Sequence, residues 1–260
     1  MKDEKENPVS KPTAGMLAQL GFIVGQQTIK VLCEDDKTLS HSDVQMMISD
    51  PENSKQLREL SEQNAIKIFG IVSDSWKREK EKNTKFWKEC FGIDIPWEKL
   101  IISNTNPEFK FAEFIPESIT AQKAFDIYEK RFGKDKVYNY YAEKGIDKNI
   151  KIQQERPKGD YVICHLGGEE PDAKHLNKSY DIFSTDGIKY MIPKEGIIAA
   201  LRYRFETGKM YDEKGLTFFH ALDADDKVMC MSGNDSGRFY ISWDGTGFQS
   251  AEFGPRQVSF

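Results

Sequence analysis

The sequence is poor in the residues that bind metals or carry redox chemistry. It contains four histidines and four cysteines, and no two cysteines form a C-x-x-C pair. Cysteines this far apart argue against a zinc ribbon and against a thioredoxin-like motif. We therefore expect reduced and mostly buried thiols in a cytoplasmic protein that binds no cofactor.

Long apolar runs are also missing. The apolar stretch over residues 16–24 is interrupted by Gln19 and Gly21, and it is far shorter than the roughly 20 residues that span a bilayer. The charged opening, residues 1–12, lacks the apolar run of a secretory signal and predicts a disordered tail. We therefore expect no membrane partner.

The chain has no excess of positive charge, because its formal net charge is -5. Nucleic-acid affinity depends on Lys and Arg side chains that neutralise phosphates, so nucleic acid is not the expected partner. Charged residues make up 30% of the chain and hydrophobic residues 38%, which is typical of a soluble protein with a real core. The length of 260 residues favours two folding units.

The two halves of the chain show different patterns. Residues 13–102 carry apolar side chains at steps of three and four, beginning with Leu17, Leu20 and Val24, which predicts a helical domain. Polar turn formers at residues 103–108 then precede an aromatic-rich segment. Such a cluster is typical of a boundary, so we predict a second domain over residues 109–260.

Two helices are well marked in the second domain. One has Ser118 or Thr120 as its N-cap and ends at Gly133. The other begins at Pro193 and ends at Gly208, which can adopt the left-handed cap conformation. The apolar stripe of this second helix comprises Ile197, Ile198, Leu201 and Phe205.

Short runs of alternating or aromatic residues predict strands around these helices. They lie at residues 137–141, 161–166, 216–220, 228–231 and 239–243, near Val258, and more weakly at residues 188–192. Turn-forming Asp and Gly residues separate the last of them. We predict an α+β fold: a helical N-terminal half, then helices packed on a mainly antiparallel sheet.

Five cysteine and histidine residues of the second domain are candidates for a metal site. They are Cys164, His165, His175, His220 and Cys230. Neighbouring residues of a strand point to opposite faces, so Cys164 and His165 would need a bulge to reach one ion. Because the spacings also differ from zinc signatures, we predict no metal site and expect Cys164 and Cys230 to fill core space.

One catalytic alternative stays open. A hydrolase-like enzyme acting on a small molecule could use Cys164 or His165 together with Glu169 and Glu170, which follow in a glycine-containing turn. Such chemistry needs a thiol or imidazole within hydrogen-bond reach of its partner, beside a group that stabilises an oxyanion.

The residue types near the C-terminus favour binding instead. Arginine and tyrosine are common at recognition surfaces, and alternation in the strand at residues 239–243 places Trp243 on the core side and Tyr240 on the other. We expect Arg238, Tyr240 and Arg256 to be exposed and to form a binding surface. The favoured function is a non-catalytic binding or protein-interaction module, whose partner is a protein or a small ligand.

Five short segments of the second domain follow one another in an order that is also found in other proteins. They are FIPESITAQKAFDIY at residues 114–128, RFETGK at 204–209, KGLTF at 214–218, FYISW at 239–243 and PRQVSF at 255–260. In this order, residues 109–260 resemble a family of hypothetical proteins common in genomes of ultrasmall candidate-phyla bacteria. The chain differs from that family at residues 218–222, where family members often carry a CSGSR-like segment. The resemblance implies a shared fold unit and no particular reaction, substrate or catalytic residue.

Overall fold

The computed structural model describes residues 77–100, residue 102 and residues 108–260. The chain divides into two compact units, Met1–Arg78 and Glu79–Phe260, and the description below concerns the second. The predicted tail over residues 1–12, the predicted helices before residue 77 and the boundary at residues 103–107 lie outside the described residues.

Five helices occur in the described chain. They are α1 (residues 77–91), α2 (Ala121–Phe132), α3 (Ile146–Asn149), α4 (Tyr180–Phe183) and α5 (Pro193–Thr207), with short 3-10 turns at Trp97–Lys99, Lys134–Lys136 and Ala173–His175. The predictions for α2 and α5 are confirmed. Thr120 caps α2 by accepting a hydrogen bond from the backbone N–H of Lys123, and Gly208 ends α5 with a φ of 73°.

Nine strands form two sheets within the described residues. They are β1 (Phe111–Ile115), β2 (Val137–Asn139), β3 (Ile150–Gln153), β4 (Tyr161–His165), β5 (Leu216–Asp223), β6 (Val228–Ser232), β7 (Phe239–Asp244), β8 (Phe253–Pro255) and β9 (Val258–Ser259). One sheet has the order β1-β4-β9, and the other has the order β2-β7-β6-β5-β3 with β8 beside β5. Helices on mainly antiparallel sheets agree with the predicted α+β class.

Two details of the sheets differ from the sequence-based expectation. The β2–β7 and β5–β8 pairs are parallel, so the larger sheet is mixed. The weak strand predicted at residues 188–192 is a single bridge between Tyr190 and Gln257.

Helix α1 packs into the same core as the strands. Phe86 and Trp87 are fully buried and belong to one hydrophobic cluster with Phe114. The side chain of Asn83, one turn earlier, donates to the carbonyl oxygen of Ala112 on β1. Most of α1 therefore belongs to the compact unit Glu79–Phe260 together with the strands, and the boundary at residues 103–108 stays a prediction.

The larger sheet has two unlike faces. Its inner face is covered by α2 and α5: the ring of Tyr128 stacks on Phe239 with centroids 4.5 Å apart, and Ile241 lies in the same buried cluster. The outer face is covered over β5 and β6 by a second cluster that includes Phe183 and Phe218. That cover does not extend over β2 and β7, and this uncovered strip is where the candidate site lies.

Helix α5 buries two charged residues that its apolar stripe does not predict. Glu195 pairs with Arg156 and accepts a hydrogen bond from the hydroxyl of Tyr161. Arg202 pairs with three carboxylates and is 2% exposed. Its ion-pair partners are Glu79 on α1, Glu113 on β1 and Glu206 one turn along α5. The pattern of the helix alone does not reveal this, because the partners come from distant segments.

Candidate interaction surface

Two tyrosines lie side by side on the uncovered part of the outer face. Tyr138 of β2 is paired in register with Tyr240 of β7, and their ring centroids are 5.9 Å apart. Tyr138 is 49% exposed and Tyr240 is half-buried. We call Tyr138 and Tyr240 the tyrosine pair; it offers apolar area with a hydroxyl at each tip, as recognition surfaces often do.

The alternation of β7 explains why this face is open. Phe239 and Ile241 are fully buried against the helices, so Tyr240 and Ser242 must face the other way. The intermediate exposure of both residues agrees with this. Trp243, which we placed on the core side, is half-buried and packs at the edge of the main cluster.

Asn234 organises the turn that leads into β7. Its side-chain oxygen accepts hydrogen bonds from the hydroxyl of Ser236 and from the backbone N–H of Arg238. Its amide nitrogen donates to the hydroxyl of Tyr240 at 3.0 Å. One side chain therefore sets the shape of the turn and occupies one acceptor site of Tyr240, and the hydroxyl proton can still be donated to a ligand.

Three cations from three elements surround the same turn. Lys136 donates to the carbonyl oxygen of Ser236, and Arg204 of α5 donates to that of Gly237 at 3.1 Å. Arg238 itself is exposed, and its Nε donates to the carbonyl oxygen of Asp135 at 3.0 Å. We call Lys136, Arg204 and Arg238 the cationic rim.

Stacking fixes the position of Arg204 within this rim. Its guanidinium lies 4.4 Å from the ring centroid of Phe132 and 5.7 Å from that of Tyr128, and it donates to the Tyr128 hydroxyl. Burial raises the pKa of Tyr128, although Arg204 opposes that shift. The phenol therefore stays neutral at physiological pH and leaves the positive charge of Arg204 uncompensated by this neighbour.

The third residue predicted for the binding surface lies elsewhere. The expectation that Arg256 is exposed is wrong, because its side chain is 1% exposed. It pairs with Asp212, donates to the hydroxyl of Thr217 at 3.0 Å and stacks 3.9 Å from the ring centroid of Tyr211. Burial is the largest single cause and would lower the pKa of Arg256, but the charge and hydrogen bond of Asp212, together with Tyr211 and Asp172, raise this pKa overall. Arg256 is therefore a buried residue that links β5 to the loop of Asp212, and it does not lie on the surface.

The cysteine and histidine proposed for catalysis are both buried. Burial, with the charge of Glu79 as a smaller cause, raises the pKa of the Cys164 thiol to about 12, so the thiolate needed for attack is scarce at neutral pH. The Nδ1 of His165 accepts a hydrogen bond from the backbone N–H of Gly167, and its Nε2 lies 3.5 Å from Glu113 Oε1. Both side chains thus lie within the core.

The two glutamates of the catalytic alternative serve other contacts. The carboxylate of Glu170 accepts hydrogen bonds from the backbone N–H groups of Lys214 and Gly215. That of Glu169 lies 3.4 Å from the Nζ of Lys209. Within the described chain, no hydrogen bond or ion pair joins either glutamate to Cys164 or His165.

The remaining histidines and Cys230 lie around the outer cluster: His175 and His220 both pack on the ring of Tyr190, which shares that cluster with Cys230. The Nε2 of His175 lies 3.1 Å from Gln257 Oε1, and His220 sits among the rings of the outer cluster. Cys230 contacts the hydroxyl of Ser242 at 3.2 Å. In the part of the chain that is described, no group of three or more His, Cys, Asp or Glu residues is arranged to hold a metal ion.

Comparison with known proteins finds no match among family models, curated proteins or solved structures. Among the described residues, no helix has both the length and the apolar character needed to cross a membrane. The feature of the described chain that bears most on function is therefore the surface formed by the tyrosine pair and the cationic rim.

Proposed function

We propose that this protein is a non-catalytic protein-interaction module that receives a partner protein on the outer face of β2 and β7. The observation that carries the proposal is the tyrosine pair, two aromatic side chains in ring contact on a sheet face that is covered elsewhere. Exposed aromatic residues beside arginine are the usual anchors of protein interfaces.

The framework under the pair supports this role. Phe239 and Ile241, which flank Tyr240 on β7, are fully buried on the inner face. Their packing fixes the backbone of the strand that carries Tyr240. Asn234 restrains the hydroxyl of Tyr240. A surface that is ordered before binding loses less conformational entropy when a partner docks.

A protein partner is favoured over a small ligand by the shape of the region. The pair and the rim lie on a sheet face and around a hairpin turn, whereas small-molecule sites are concave and enclose most of the ligand. The hydrolase alternative receives no support from the geometry, because Cys164 and His165 are buried and, within the described chain, no hydrogen bond or ion pair joins either of them to Glu169 or Glu170. Membership of the candidate-phyla family stays a prediction.

The experiment is recovery of partner proteins from the cells that produce this chain. We expect the double variant Tyr138→Ala, Tyr240→Ala to reduce the recovered partner about tenfold, as loss of an interface anchor does. The thermal unfolding temperature should stay close to that of the wild type, because surface substitutions change stability little.

The matched control is Ile152→Ala on β3. Ile152 is 51% exposed, and β3 is the opposite edge of the same sheet, so this variant removes similar exposed apolar area at another place. It should leave recovery unchanged. Equal recovery with the tyrosine double variant and with the wild type would rule out the proposed surface.

A further inference from the structure

The cationic rim lies next to the tyrosine pair, and this arrangement indicates the chemistry of the partner. We propose that the partner segment is acidic: it places an aspartate or glutamate carboxylate on the rim while a neighbouring apolar group covers the pair. This inference rests on the proposed function, because it names the kind of protein segment that the outer face receives.

Arg238 is the residue best placed to hold the carboxylate. It immediately precedes β7, and the side chain of Asn234 bonds both the backbone N–H of Arg238 and the hydroxyl of Tyr240. Its Nε is committed to the carbonyl oxygen of Asp135, and neither terminal nitrogen has a hydrogen-bond partner within the described chain. Two parallel N–H groups fit the two oxygens of a carboxylate.

The orientation of this guanidinium is set in advance. The hydrogen bond from Arg238 Nε to the carbonyl oxygen of Asp135 links the residue before β7 to the 3-10 turn before β2. It restrains a side chain that would otherwise move freely on the surface. An arginine side chain loses rotamer freedom when it is fixed by a ligand. Because this hydrogen bond already restrains Arg238 in the free protein, less rotamer freedom is lost when a partner binds.

Lys136 and Arg204 add positive potential from either side of the turn. Each donates a hydrogen bond to a backbone carbonyl, and Lys136 also lies 3.9 Å from the carboxylate of Asp135, so Arg204 supplies the larger share of this potential. Arg204 is held on the ring of Phe132, so its charge stays near Gly237.

The carboxylates of the same region favour a single acidic side chain over a polyanion. Asp135 and Asp235 are exposed beside the rim, and Asp135 lies 3.9 Å from the ammonium of Lys136. A chain of phosphates would approach these groups and meet repulsion, and the net charge of -5 adds to it. A single peptide carboxylate brings one negative charge and therefore meets less repulsion here than a polyanion does.

The test is selection of random twelve-residue peptides on the immobilised full-length protein, with removal of peptides that also bind the Tyr138→Ala, Tyr240→Ala variant. We expect the retained peptides to be enriched in Asp and Glu relative to the library. Their affinity should fall about tenfold on the charge-reversed variant Arg238→Glu. A second selection on Arg238→Glu should enrich Lys and Arg instead.

The outcomes separate this inference from the proposed function. Retained peptides without an acidic excess, or with equal affinity for Arg238→Glu, would overturn the acidic partner and leave the tyrosine surface in place. Failure to retain any tyrosine-dependent peptide would count against both. Substitution at Arg238 is suited to the test because the side chain is exposed, and circular dichroism of the variant confirms its fold.

Discussion

Gly196 of α5 lies directly against the ring of Phe219 on β5. A Cβ atom at position 196 would be 2.3 Å from Phe219 Cε1, a separation that side-chain atoms do not tolerate. The helix approaches the inner face this closely because glycine has no side chain there. We expect Gly196→Ala to lower the free energy of unfolding by about 2 kcal/mol, although alanine is the better helix former by about 1 kcal/mol.

Urea unfolding followed by tryptophan fluorescence measures this change. Gly245→Ala is the matched control, since a Cβ at that position has no atom within 4 Å and the residue is exposed. The control should unfold like the wild type. Unchanged or increased stability of Gly196→Ala would show that α5 and β5 are not in such close contact.

The second prediction concerns the buried charges around Arg202. Its guanidinium lies 2.8 Å from Glu79, 3.0 Å from Glu113 and 2.6 Å from Glu206. Replacement by leucine leaves carboxylates buried without a counter-charge, and we expect a loss of about 3–5 kcal/mol in the free energy of unfolding. Chemical denaturation checks this value.

Lys82→Ala provides the comparison for this prediction. Lys82 lies 3.7 Å from the same Glu206, but its side chain is 55% exposed, and exposed pairs contribute at most about 1 kcal/mol. Similar losses for Arg202→Leu and Lys82→Ala would contradict the buried position of Arg202.

The third prediction concerns Glu79, which is buried beside Glu113. Burial is the largest cause that raises the pKa of Glu79; Arg202 opposes this rise and Glu113 adds to it. A carboxyl whose pKa is higher in the folded state contributes stability below its unfolded pKa and loses that contribution as pH rises through the folded value. Glu79→Gln should therefore remove part of the decrease in stability between pH 4 and pH 7.

At pH 7 this glutamine variant should be as stable as the wild type or up to about 1 kcal/mol more stable. The exposed Glu81→Gln on the same helix is the control, and it should leave the pH profile unchanged. A loss of several kcal/mol for Glu79→Gln would mean that the ionised carboxylate is needed for the attachment of α1. Denaturation midpoints across this pH range measure the difference.

His220 gives a pH dependence of the opposite sign. Burial, helped by the charge of Arg156, lowers the pKa of its imidazole from 6.5 to about 4. The folded state therefore disfavours protonation, and stability falls as pH decreases from about 6.5 towards 4. His220→Phe should reduce that fall by about 2 kcal/mol, measured by unfolding at several pH values. An identical acid-side profile for the variant and the wild type would disprove the burial of this ring.

Local patterns predicted the elements whose signals are contained in a few neighbouring residues. The caps at Thr120 and Gly208 and the strands that became β4 to β7 are of this kind, because capping and alternation need no distant partner. Strand β1 was not predicted. Its residues are mostly buried, Glu113 among them, so the usual alternation of polar and apolar side chains is absent.

The candidate surface could be predicted only in part. Arg238 and Tyr240 follow from the alternation of one strand, but Tyr138 joins them through a parallel pairing across about a hundred residues of sequence, which no local pattern contains. The prediction that Arg256 is exposed was wrong for the same reason, since its partner Asp212 comes from a distant loop. Contacts between separate segments decide both cases.

Site-specific photocrosslinking in the cells that produce this protein shows whether a partner docks on the tyrosine pair. A benzophenone side chain replaces Tyr138 on β2 in one variant and Ile152 on β3 in the other, two positions of nearly equal exposure at opposite edges of one sheet. We expect one discrete crosslinked protein when the benzophenone is at position 138 and none when it is at position 152. Adducts of equal yield at both positions, or none at position 138, would contradict an interaction surface on the outer face of β2 and β7.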